Sequence, residues 1–242
     1  MKMHIVQWSA WINGIDSVEG LTDWAVEPTD TPADFNLPVP DYVPKINRRR
    51  LSPLAKIVLS QVACLDNFHL YPSVFCTRHG DLPKTVELIA DVVRGESLSP
   101  TQFALSVHNA VSGQFGIFAH NVQASTLISA GRDSFHLGLI DAITRLEQSE
   151  AEHMLYVYAD MPLPEPYQGF ADEMQFAHCI ALKLAKDTSA AGDSMTMHQK
   201  QLAQTAITGM ALPHSLQFLR QFVSRQRSFE IEGNSHWDWS RD

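Results

Sequence analysis

The sequence predicts a layered α/β domain. Apolar runs of strand length alternate with longer segments whose apolar residues recur at helical spacing, and turn or capping residues separate them. With 242 residues, 45% hydrophobic and 19% charged, the chain has a globular balance and can bury a large core. No internal repeat of solenoid length is present. The expected organisation is one domain over residues 1–242, with a Pro-rich connection at about 28–44 and a helical tail at about 195–242.

The elements follow in order. Ile5 to Ile12 is rich in Ile, Val and Trp and stops at Asn13-Gly14, so it reads as a strand. Pro28, Pro32, Pro38, Pro40 and Pro44 lie among acidic residues and mark an extended surface connection, because proline is excluded from helix interiors and central strands. Ser52 can cap and Pro53 open a helix bearing Leu54, Ile57, Val58, Val62 and Leu65. Ser73 to Thr77 is a short strand that closes on Arg78-His79-Gly80, where Gly80 permits an unusual backbone dihedral. Asp81 can cap the next helix, with Val86, Ile89, Ala90 and Val93 on one face and Gly95 as its stop.

Ser99-Pro100-Thr101 opens a further helix through Phe103, Leu105 and Val107 to about Ala110, where Asn109 is expected to bond to nearby backbone. Ser125 to Ser129 reads as a buried strand. Ser134 to Leu146 is a helix with Phe135, Leu139, Ala142, Ile143 and Leu146 inward. Met154 to Ala159 is a strand running into the Pro162, Pro164, Pro166 loop, Cys179 to Ala185 is another, and Leu216 to Val223 is a helix.

Charge and motifs exclude several functions. The net charge is −9, and Arg48-Arg49-Arg50 is the one dense basic run, so a nucleic-acid surface is not expected. No stretch approaches the roughly 20 apolar residues of a spanning helix, and the N-terminus lacks an apolar export core. Cys64, Cys76 and Cys179 are odd in number and widely spaced, which suits reduced thiols in a cytoplasmic protein. G-x-G-x-x-G, H-E-x-x-H, C-x-x-C and G-x-S-x-G are all absent, so no cofactor and no metal is expected.

One stretch is more specific: Arg78-His79-Gly80-Asp81-Leu82, then Ser99-Pro100 with Phe103, then Ser106-Val107-His108-Asn109-Ala110. Together with Ser125 to Ser129 and the helix behind it, this resembles the N-terminal half of β-ketoacyl synthases. The resemblance is closer to short ketosynthase-like proteins of the chain-length-factor type, and it covers nearly the whole chain. It implies a thiolase-like half-fold, with a mixed central sheet flanked by helices. It also implies work in acyl-carrier-protein-dependent fatty acid, aryl polyene or polyketide synthesis.

In a working ketosynthase a cysteine stands on the tight turn between a buried strand and its helix, whose N-terminus favours the thiolate. The matching turn here is Ser129-Ala130-Gly131-Arg132-Asp133-Ser134, and the cysteine position falls on Gly131 or Arg132. Neither is a nucleophile. Arg132-Asp133 is read either as a cap on the helix, favourable by roughly 0.3–1 kcal/mol, or as a plug in an old acyl site. The ketosynthase histidine pair, from a second half absent here, has no counterpart in His178, His198, His214 or His236. His136 is expected to point away from the turn.

The resemblance therefore implies a non-catalytic accessory of a true ketosynthase or a neighbouring enzyme, as a homo- or hetero-oligomer. An acyl carrier protein is a further partner, although like acidic charge opposes it. The alternative is acyl transfer or thioester hydrolysis by Ser129 or Ser134, with Cys76 as a third nucleophile. The strand from Ser125 to Ser129 matches one that pairs across the thiolase dimer, and an exposed edge there calls for a partner. The apolar tail from Leu216 to Trp239 is expected to cover the surface the absent second half would bury.

Overall fold

The computed structural model describes residues 1–15, 17–27, 36–200, 210–232 and 235–242. In chain order the elements are β1 (Lys2–Ile12), α1 (Val18–Val26), α2 (Lys45–Arg48), α3 (Pro53–Val62), β2 (Ser73–Cys76), α4 (Leu82–Arg94), α5 (Pro100–Ser106), α6 (Ala110–Phe118), β3 (Ser125–Ile128), α7 (Ser134–Gln148), β4 (His153–Asp160), β5 (His178–Ala185), β6 (Asp193–Lys200), α8 (His214–Val223), β7 (Ser228–Glu232) and β8 (His236–Arg241).

All eight of these strands join one mixed sheet in the order β3-β2-β4-β5-β1-β6-β8-β7. β2 pairs in parallel with β3 and β4, and the other pairings are antiparallel. The period-two alternation sends Met154, Tyr156 and Tyr158 of β4 to one face and Leu155, Val157 and Ala159 to the other. α1, α7 and α8 cover the first face; α3 and α6 cover the second. A sheet buried on both faces explains why β4 and β5 read as nearly continuous apolar runs.

Several expectations are met at residue level. Ser52 accepts from the Ala55 N–H with Pro53 at the first turn of α3, and Ser99 accepts from the Gln102 N–H at the start of α5. Gly95 ends α4 with φ of 72°, and the five apolar residues expected inward on α7 are all buried. Leu216, Phe218, Leu219, Phe222, Trp237 and Trp239 enter the core on the α7 face.

Four expectations are corrected. The tail at 195–242 is not helical throughout: β6 and the β7–β8 hairpin occupy much of it, and α8 is its one helix among the described residues. The signal was the alternation His236-Trp237-Asp238-Trp239, which sends both indoles to the core. α4 lies against α5 and buries only Leu88; Ile89 and Val93 stay exposed. The helix after Ser99 stops at Ser106 because Val107 turns extended, and α6 starts afresh at Ala110. β3 is not buried but forms the edge of the sheet, with no residue fully covered. Of the Pro-rich connection, Pro28 and Pro32 lie outside the described residues, while 36–40 is irregular and leads to α2.

Candidate functional site

Because β2, β3 and β4 are parallel, their C-terminal ends meet at one pole, where ligand sites of open α/β sheets lie. The organiser there is Asp160, a buried carboxylate at the end of β4. It accepts from Thr77 Oγ1–H at 2.8 Å, the Arg78 N–H at 3.0 Å, the His79 N–H at 3.1 Å and Tyr158 O–H at 2.5 Å. Thr77 Oγ1 in turn accepts from the Gly80 N–H at 2.8 Å. This wraps Arg78-His79-Gly80 into a tight turn with Gly80 at φ of 62°, and a Cβ on Gly80 would come within 3.1 Å of the His108 ring. Arg78 reaches out to Asp172 at 2.8 Å and Glu173 at 2.9 Å. Burial raises the Glu173 carboxyl against the pull of that guanidinium, and burial lowers the His79 imidazole, favouring its neutral form.

The turn from β3 to α7 lies beside this network. Gly131 has φ of 60°, and no atom stands within 4 Å of where its Cβ would be. Ser129 Oγ–H donates to the Arg78 carbonyl at 3.1 Å. Ser134 Oγ accepts from the Ala130 N–H and donates to the Gly131 carbonyl at 2.7 Å, fully buried. Among the described residues no imidazole bonds to either hydroxyl. Arg132 crosses to the loop after β4, donating to the Asp172 carbonyl at 2.6 Å. Asp133 does not cap α7 through its side chain; its carboxylate accepts from the Trp237 indole at 3.2 Å. His136 points into the core and stacks on Trp237 at 4.4 Å.

Of the three thiols, two are enclosed. Cys76 and Cys179 are buried, and burial pushes both thiols up, away from thiolate. Cys64 is exposed at the end of α3 and its thiol is also raised by burial of part of its surface. His178 and Ser215 bond at 2.7 Å, but Ser215 is fully buried and no substrate reaches it. The cavity beside the pole, between Val58, Cys76, His108 and Leu127, holds about 20 Å³, too little for an acyl chain. A roomier cavity, about 450 Å³, is at the opposite pole near Met3, Leu184 and Lys186. Its His4 is already bonded to Ser194 and the Ala190 carbonyl.

The structure thus gathers Arg78, His79, Gly80, His108, Ser129, Gly131, Arg132 and Ser134 at one pole. Ser99, Pro100, Phe103, Ser106 and Asn109 instead build α5 and its exit: Ser106 bonds to the Phe103 carbonyl, and Phe103 is exposed. Sequence reasoning missed Asp160, Tyr158, Asp172 and Glu173. A lone carboxylate closing an apolar strand was the available signal for Asp160.

The β-ketoacyl synthase N-terminal domain model matches residues 22–240. The chain belongs to this family. No curated protein matches the chain. Among solved structures, a chain of the complex of the ketosynthase ApeO with its chain length factor ApeC, from Xenorhabdus doucetiae, is similar over 100% of both chains. Its TM-score is 0.86 and its identity 28%. The ishigamide ketosynthase/chain length factor shares the fold at TM-score 0.62 and 13% identity, covering 82% of this chain and 68% of that one. The ketosynthase from module 6 of the bacillaene synthase of Bacillus subtilis 168 does so at TM-score 0.61 and 15% identity. There 87% of this chain spans only 46% of the longer one. This ketosynthase-family chain therefore has the thiolase-like fold that its sequence predicts.

Proposed function

We propose that this chain is a non-catalytic, chain-length-factor-like partner of a ketosynthase in acyl-carrier-protein-dependent synthesis of a fatty acid, aryl polyene or polyketide. The observation that carries this reading is the turn at Gly131-Arg132. The expected place for a nucleophile falls on Gly131 or Arg132, Arg132 is tied to Asp172, and all three thiols lie elsewhere.

The sheet edges support an assembly role. β7, one edge, exposes Glu230 and Glu232, and charge on an edge strand resists pairing. β3, the other, is Ser-Thr-Leu-Ile without a charge. Exposed Val122 precedes it, and Ile117 of α6 and Phe103 of α5 are also exposed. Two of the similar structures are titled as ketosynthase and chain length factor together, which favours a ketosynthase on that edge.

The test is co-expression with the ketosynthase encoded beside this chain, followed by size exclusion with light scattering. The expected result is a one-to-one complex that Val122→Asp with Thr126→Lys abolishes at unchanged thermal stability. A chain that stays alone beside a folded ketosynthase refutes the reading. So does a covalent acyl adduct on this chain after incubation with acyl thioesters, read by mass spectrometry.

A further inference from the structure

Asp133, His136 and His214 form a buried trio behind the Gly131-Arg132 turn, and the proposed function makes no use of it. Their ligand-type atoms lie within 4.8 Å of one another. The bonds on the far side of each ring fix the protons. The Trp239 indole can only donate, and it faces His136 Nε2 at 3.3 Å, so neutral His136 carries its hydrogen on Nδ1. The Glu232 carbonyl can only accept, and it faces His214 Nε2 at 3.1 Å, so neutral His214 offers a lone pair at Nδ1.

Both Nδ1 atoms are buried and without a hydrogen bond among the described residues. One presents N–H and the other a lone pair, and the two ring centres stand 5.1 Å apart. A metal ion does not suit this arrangement, because His136 offers it a proton.

One added proton changes the trio. Protonated His214 would turn its Nδ1–H to Asp133 Oδ1, 3.6 Å away, and would set a buried charge beside the His136 N–H, which cannot accept from it. The proton would enter where four parts meet. His214 opens α8, Glu232 ends β7, Trp237 and Trp239 belong to β8, and Asp133 and His136 start α7. We propose that His214 and His136 form a proton-sensitive latch, which holds the β7–β8 hairpin against the start of α7 and releases it on acidification.

The surrounding charges set its sign. Asp133, from the turn, favours protonation of His214; Arg132, Arg78 and His136 oppose it. The hairpin faces the pair with two indoles and a carbonyl, while Glu230, His236 and Asp238 pair with one another around His236. Arg220 of α8 turns away to the Ala25 carbonyl, and β4 presents Tyr156 and Tyr158, both kept neutral by burial, through Phe135. Desolvation is the largest effect: it lowers His214 from 6.5 to about 4 and holds His136 well below its usual value. A released imidazole protonates near 6.5, so the closed latch is favoured above that pH and loses ground as pH falls towards 4.

The experiment is hydrogen exchange by mass spectrometry on the full chain between pH 7 and pH 4.5, corrected for intrinsic rates. Circular dichroism monitors the global fold, and nitrogen NMR of the histidine rings at pH 7 reads the tautomers. Protection over residues 235–241 should fall at least tenfold while that of β4 holds, and His214→Gln, which cannot titrate, should abolish the fall. NMR should find hydrogen on Nδ1 of His136 and on Nε2 of His214, a readout that stands even if the variant misfolds. A fall unchanged in His214→Gln, the reverse tautomers, or one equivalent of bound transition metal in the purified protein would each overturn the latch.

Discussion

Gly138→Ala tests whether Cys76 packs against α7 as a space-filling thiol. A Cβ at Gly138 would stand 2.0 Å from Cys76 Sγ, 3.3 Å from Cys76 Cβ and 3.1 Å from Tyr156 Cε2. Neither neighbour can withdraw. Cys76 is buried on β2, and Tyr156 is fully buried with its O–H held by the Phe135 carbonyl at 2.6 Å. Alanine in place of a mid-helix glycine would add about 1 kcal/mol of helix stability. Overpacking costs about 1–3 kcal/mol, and a contact this short belongs at the upper end. The net loss should be about 2 kcal/mol, or about 4–8 °C in Tm for a chain of this size. Cys76→Ala removes the obstructing sulfur, so the double variant should recover most of that loss, with a coupling of about 2 kcal/mol. Urea unfolding by circular dichroism at a common m-value measures all four corners. Gly138→Ala as stable as the wild type, or a double variant no better than the sum of the singles, would refute the packing argument and reopen Cys76 as a mobile thiol.

Two further outcomes follow from the same pole. Asp160→Asn cannot accept from all four donors, and should lower stability by about 3 kcal/mol, read as a calorimetric Tm fall of about 6–12 °C; an unchanged Tm would show the turn to be held by other contacts. With a chromogenic disulfide at pH 8 the native chain should titrate one thiol, exposed Cys64, and all three only in denaturant. A second fast thiol would contradict the burial of Cys76 and Cys179.

The legible part of this fold is the part with local chemistry. Ser52-Pro53, Ser99-Pro100 and Gly95 announce helix ends through single side chains, and β4 and β5 announce double-sided burial through unbroken apolar runs. The face of α4 was misread because its apolar residues do recur at helical spacing; the sequence cannot say whether the surface they meet is inside the chain. The β7–β8 hairpin was obscured by its small size and by Asp238 and His236, although the two tryptophans between them follow a strand's period. At the pole, the turn from Ser129 to Ser134 was visible because identity and position are sequence properties. Asp160 showed only as a carboxylate at a strand end, because its four donors come from residues 77–79 and from Tyr158, brought together only by the parallel pairing of β2 with β4.

The chemistry left at that pole argues for a structural role. A general base needs a free lone pair within reach of substrate, and here most candidates are committed, His79 and His108 apart. Asp160 holds four donors, Ser134 both gives and receives a backbone bond, and His136, His178 and His214 are enclosed with burial favouring their neutral forms. Arg132 and Arg78 both bind the loop at Asp172, which braces the mouth. The unused bonding capacity lies instead along β3, where an uncharged edge strand offers backbone groups next to exposed apolar side chains.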